Sequence, residues 1–135
     1  MKLLINSIIY FVFFCVSTPV FSNDFSNWHE VSGGTWQPTL EHLNTLEKLI
    51  AAEAPRAAKA RGQTLSTLNA YTFQYQGQIS NNDKVIKIQA YCQSSSEFNP
   101  SREWLLVMDG GTCYLSALYN LNSNAFMYFE FNGDA

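Results

Sequence analysis

The chain has 135 residues, with 8 Lys+Arg against 11 Asp+Glu and a formal charge of −3. That balance lacks the clustered positive charge a nucleic-acid partner requires. Hydrophobic residues make up 47 % of the chain, which suffices for one core, and no stretch after residue 22 is apolar and long enough to cross a bilayer.

Residues 1–22 read as a secretory signal peptide. Lys2 supplies the positive start, Leu3 to Val16 form an apolar run broken only by Asn6 and Ser7, and Val20-Phe21-Ser22 ends in the small residue a signal peptidase needs. The run is too short to span a hydrocarbon core of about 30 Å as a permanent helix. Processing would leave one domain, 23–135, with 7 basic against 11 acidic side chains and a formal charge of −4. Its expected location is periplasmic or secreted, with no membrane attachment once the signal is removed.

Along that domain, residues 23–37 read as an irregular lead-in, in which Trp28 and Trp36 flank Ser32-Gly33-Gly34. Pro38-Thr39 opens a helix. Leu40, Leu43, Leu46, Leu49 and Ile50 recur at helical spacing, Ala54 and Ala57 continue the stripe, and Gly62 stops it. Glu41 and Glu47 come early and Arg56, Lys59 and Arg61 late, as the helix dipole favours. Pro55 is expected to kink or split this long helix near residue 54. From residue 67 the period becomes two. Strands are expected around Tyr71–Tyr75, at Lys84–Cys92 after the turn Ser80-Asn81-Asn82-Asp83, at Trp104–Met108, at Thr112–Tyr119 and at Ala125–Phe131. The pattern predicts an α+β domain in which one helix packs on a curved, four- to five-stranded antiparallel sheet.

Two cysteines follow the signal, Cys92 and Cys113, and an even pair in a small exported domain points to a disulfide. Neither has a histidine nearby or a C-x-x-C spacing, so no metal is expected. No catalytic motif, phosphate loop or calcium loop is present, and no cofactor is implied. His29 falls in the lead-in and His42 in the first helical turn, where a surface role outweighs that of a base. Asp109-Gly110-Gly111 reads as a turn or bulge needing positive φ, rather than a loop approached by a ligand.

The last two expected strands are apolar on both sides, and one helix covers only one face. The other face must meet the Trp28/Trp36 segment, a second copy of the chain, or a different protein. Tyr114, Phe126 and Tyr128 are the candidate partner-binding residues, set on one patch if the final strands pair as a hairpin.

Four stretches also resemble a group of small exported, largely uncharacterised bacterial proteins: Ile86-Lys87-Ile88-Gln89-Ala90-Tyr91-Cys92, then Trp104 through Asp109-Gly110-Gly111-Thr112-Cys113-Tyr114, then Tyr119-Asn120, and the terminal Phe131-Asn132-Gly133-Asp134-Ala135. The similarity covers about 50 residues, with Asp134 where Glu is more usual. It implies export and a cystatin-like fold, and no activity. Together these features lead to the expectation of a small exported binding protein, an inhibitor or immunity protein that meets a secreted enzyme or toxin in the periplasm. The rival expectations are a small enzyme or ligand carrier with a pocket between helix and sheet, and a structural subunit that dimerises through the sheet.

Overall fold

The computed structural model describes residues 24–65, 67–92 and 94–134. The expected signal peptide, 1–22, lies outside them. The elements run β1 (Trp28–Glu30), α1 (Leu40–Ala60), β2 (Thr72–Ser80), β3 (Asp83–Tyr91), β4 (Tyr114–Asn120) and β5 (Ala125–Phe131), with short 3-10 turns at Leu68–Ala70 and Gly111–Cys113. All five strands form one sheet in sequence order.

The helix begins where its backbone donors find partners. Thr39 is the N-cap and exchanges a reciprocal pair of hydrogen bonds with His42, a capping box in which histidine takes the usual glutamate place. Pro38 therefore sits just before the helix rather than in its first turn. The buried stripe is Leu43, Leu46, Ile50, Ala54 and Ala58, whereas Leu40 is 67 % exposed and lies off it. At the other end Gly62 donates to Lys59 and Gln63 to Ala58, the paired bonds of a Schellman stop. The helix continues through Pro55 as one 21-residue element, so the expected split does not occur. Pro55 and Ala51 are both exposed, and the carbonyl that loses its donor lies on the solvent side.

The sheet is mixed, not antiparallel throughout. β1 runs parallel to β2, with Trp28 opposite Phe73, and the lead-in thus contributes a strand that the sequence pattern does not reveal. β2 and β3 form a hairpin about Asn81-Asn82, both at positive φ, the backbone a two-residue turn between twisted strands requires. The helix side of the sheet carries Phe73, Ile86, Ile88, Ala90, Leu115, Ala117 and Phe131 against the helix stripe. Trp28 stacks on Phe73 at 4.4 Å between ring centres and belongs to this core.

Trp104–Met108 is not a strand. β3 and β4 pair directly as far as Tyr91 opposite Tyr114, the Cys92 amide donates to the Cys113 carbonyl, and no edge remains between them for a third strand. Residues 94–110 leave the sheet and return over its outer face. The Cys92–Cys113 disulfide, with Cα atoms 5.0 Å apart, closes that excursion at its base. Bridging a 21-residue separation stabilises the domain by about 3 kcal/mol in the chain-entropy account. Cys113→Ser should therefore lower the unfolding free energy by that order, read as a shifted urea midpoint. A midpoint unchanged from wild type would show that the loop is held without the bridge.

Candidate functional site

The outer face is built on glutamines. Residues of β2 alternate, so Gln74, Gln76 and Gln78 point away from the helix. Gln74 is fully buried and fully bonded: its amide donates to the Pro100 and Glu103 carbonyls at 2.9 and 2.7 Å, and its carbonyl accepts from the Leu105 amide at 3.0 Å. Gln76 does the same for the β1–α1 loop, donating to the Val31 and Ser32 carbonyls while accepting from Gln78. Each glutamine offers what a loop backbone needs, a donor pair and an acceptor.

A second clamp holds the far end of the 94–110 segment. The Asn132 side chain donates to the Val107 carbonyl at 2.6 Å and to the Asp109 carbonyl at 3.0 Å. Between the two clamps Leu105 and Val107 face the sheet, whereas Leu106 and Met108 are 84 % and 94 % exposed. Trp104 lies beside Lys87, whose ammonium stands 4.3 Å from the ring centre. A cavity of about 90 Å³ lies under the segment, lined by Gln89, Leu105, Val107, Tyr114 and Ser116 among others. The Gln89 side-chain carbonyl there is buried and accepts no hydrogen bond from the described residues.

Lys87, Leu118 and Tyr128 stand opposite one another on β3, β4 and β5 and make one row across this outer face. Tyr128 is 38 % exposed and the adjacent Met127 is exposed. The expected patch of Tyr114, Phe126 and Tyr128 does not form. A bulge at Leu118/Tyr119 puts Phe126 opposite Tyr119 and Tyr128 opposite Leu118. Phe126 thereby turns to the helix side and meets Tyr119 and Phe129 edge-on at 5.4 and 5.1 Å. Tyr128 keeps the outer face, and Tyr114 lies beneath the loop beside the 90 Å³ cavity. Trp28 and Trp36 are on the helix side, Trp36 edge-on to His42 at 5.4 Å, so neither covers the outer face.

The other residues singled out in the sequence have structural partners. Gly110 and Gly111 both take positive φ, and a Cβ on Gly110 would come within 2.5 Å of the Tyr114 ring. Beside this turn, Thr112 donates to the Thr64 carbonyl, Gly111 to the Gly133 carbonyl, and Tyr71 through its hydroxyl to the Thr112 carbonyl. His42 borders an opening of about 320 Å³ between helix and sheet, with Glu41, Thr45, Ile86, Tyr119, Leu121 and Asn124. Its Nδ1 accepts from the Thr39 amide at 2.9 Å, which leaves the ring hydrogen on Nε2. Glu130 is opposite Ser116 on the outer face, so it cannot pair with His42 across the sheet. Among the described residues no three His, Cys, Asp or Glu side chains gather as metal ligands.

No protein-family model matches this chain, and no curated protein or solved structure is significantly similar to it.

Removing the Gln74 clamp should free the loop without opening the core. Gln74→Ala leaves two carbonyls and one amide without their partner, which costs about 2–4 kcal/mol where they stay buried. Amide exchange at Leu105 should accelerate far more than exchange at Ile88; equal acceleration would mean the clamp supports the whole sheet.

Three tyrosines set a second expectation. The hydroxyls of Tyr75, Tyr91 and Tyr128 are held above their usual value of 10.0, in each case chiefly because burial penalises the phenolate. Glu30 adds to the rise at Tyr75 and Glu130 at Tyr128, whereas hydrogen bonds with Ser94 and Thr72 oppose it at Tyr91. The folded state thus holds these protons more tightly than the unfolded chain. Their stabilising contribution is complete below pH about 10 and is lost as pH rises through the folded values. The melting temperature should fall steadily from pH about 10 upward, and a flat profile there would contradict the assignment.

Proposed function

We propose that the protein is a small exported binding protein and that its outer sheet face is the contact surface. The observation that carries this reading is the grouping of exposed Leu106, Met108, Met127 and Tyr128 on or beside one face, next to the Lys87–Trp104 pair. Apolar and aromatic side chains held on a rigid support are what a protein interface uses. The disulfide is consistent with an oxidising compartment, and residues 1–22 supply the proposed export signal. A helix followed by a four-strand meander supports the cystatin-like comparison, although the parallel β1 departs from the antiparallel sheet expected for it. In this reading the protein acts as an inhibitor or immunity protein on a secreted enzyme or toxin.

The bulge supplies the test, because it places two neighbouring aromatics in different roles. Phe126→Ala removes a helix-side ring from the Tyr119–Phe129 cluster and should destabilise the domain by about 2 kcal/mol or more. Tyr128→Ala should leave the melting temperature within a few degrees of wild type. It should weaken partner binding, followed by photo-crosslinking from position 130 in the cell envelope, by about 2 kcal/mol, or roughly 30-fold. Crosslinking only to a second copy of the chain would replace the inhibitor reading with the self-association one. A large loss of stability in Tyr128→Ala with unchanged crosslinking would remove the outer face as an interface.

A further inference from the structure

We propose that Trp104–Met108 is a bait segment for a peptidase with an apolar primary pocket, and that Leu106 is the side chain that enters it. The inference rests on the binding-protein reading above and names the partner class.

The backbone of the segment is divided between its two edges. In an extended chain the N–H and C=O of one residue point to the same side, and successive residues alternate. Leu105 and Val107 each spend one group on the scaffold: the Leu105 amide donates to Gln74, and the Val107 carbonyl accepts from Asn132, while the Leu105 carbonyl and the Val107 amide have no hydrogen bond among the described residues. The amides of Trp104, Leu106 and Met108 and the carbonyls of Trp104 and Leu106 have no hydrogen bond among the described residues. On the other edge Trp104, Leu106 and Met108 are the alternate residues with no group bonded to the scaffold, the kind of set through which a cleft that binds its substrate as an added strand makes its main-chain contacts. Leu106 projects away from the sheet at 84 % exposure, free to fill a pocket. No charge occurs from Trp104 to Met108, so the matching pocket is apolar.

Leu106 fits this role better than Met108. It has two residues of the uncharged segment on either side. Met108 is followed by Asp109 and then Gly110 at φ 95, where the chain turns and can no longer lie along a cleft.

The same anchors explain inhibition rather than digestion. Hydrolysis of the Leu106–Val107 bond consumes one water and leaves a carboxylate on Leu106 and an ammonium on Val107. Leu105 stays tied to Gln74, Val107 stays tied to Asn132, and the Cys92–Cys113 bridge keeps the two pieces one molecule. The new ends remain opposed at high effective concentration, so the bound peptidase runs its reaction backwards: its nucleophile re-acylates on the Leu106 carboxyl group with release of the water, the Val107 ammonium gives up a proton and its amine displaces the nucleophile to restore the peptide bond, and the cut product does not leave.

Chymotrypsin, with its hydrophobic primary pocket, and trypsin, with an acidic one, are the probes. The oxidised protein should inhibit chymotrypsin and not trypsin while remaining largely uncut. Leu106→Asp should weaken that inhibition at least about 100-fold with an unchanged melting temperature. Leu106→Lys should move inhibition from chymotrypsin to trypsin, a transfer that a merely structural residue would not give. Reduction of the disulfide should convert the protein into a substrate cut after Leu106. Absence of chymotrypsin inhibition, rapid cleavage of the oxidised protein, or full inhibition by Leu106→Asp would each overturn the proposal. If any of these occurs while crosslinking beside Tyr128 still captures a partner, the bait role falls and the outer-face interface stands; if that crosslink is also lost, both fall.

Discussion

β3 and β4 are hydrogen-bonded neighbours to their ends, with Tyr91 opposite Tyr114, and the Cys92–Cys113 bridge lies one residue beyond. This closure governs the outer half of the molecule. The segment between the two cysteines has both ends fixed at one point on the sheet, and no edge is open between β3 and β4 to receive it. The remaining course is to fold back over the face opposite the helix. Once there, its backbone polar groups lose water and need partners, and Gln74 and Asn132 provide them. A buried polar side chain is tolerable only when its bonds are met, and Gln74 meets all three of the bonds it makes with main-chain atoms of one short stretch.

The two faces of the sheet are consequently stabilised by different forces. The helix side is apolar contact, from Trp28 and Phe73 through Ile86, Ile88 and Ala117 to Phe131. That attraction has little directional preference and tolerates rearrangement provided volume is conserved. The outer side is held by hydrogen bonds from glutamine and asparagine, which fix distance and angle. A loop held in this way keeps a defined backbone path without burying its own outward side chains. The two sides meet at the Asp109-Gly110-Gly111 turn. There the end of the loop, the helix exit through Thr64, and the C-terminal residues Asn132 and Gly133 are joined by short-range hydrogen bonds.

Most of the fold was legible from periodicity, and the departures have physical causes. The helix and β5 follow from apolar spacing, and the β2–β3 turn from two adjacent asparagines that accept positive φ. Three residues at Trp28–Glu30 are too few to show a period, so β1 was hidden in the lead-in. Trp104–Met108 is an unbroken apolar run, and such a run looks the same as a sheet strand and as a segment lying across a face. What distinguishes them is whether the flanking strands already pair, and sequence alone does not report that. The aromatic patch failed for a subtler reason. One extra residue in β5 at the Leu118/Tyr119 bulge reverses the facing of everything on one side of it, so a strict period of two joins Phe126 to Tyr128 although the sheet separates them.

The bulge and the loop together decide where apolar surface remains. With Phe126 drawn into the helix side, Tyr128 is the β5 aromatic left on the outer face, in a row with Leu118 and Lys87. Lys87 in turn carries Trp104 on its ammonium, which links this row to the start of the loop. Leu105 and Val107 are half-buried against the sheet while Leu106 and Met108 point away, so the loop packs through one set of side chains and presents the other. An exposed leucine contributes almost nothing to folding, so residue 106 is free to vary without loss of the domain. Its backbone is not free in the same way, because the residues on either side are fastened to Gln74 and Asn132. Such a division, with a replaceable side chain on a constrained main chain, allows the identity of a partner to be set at one position while the scaffold that presents it stays the same.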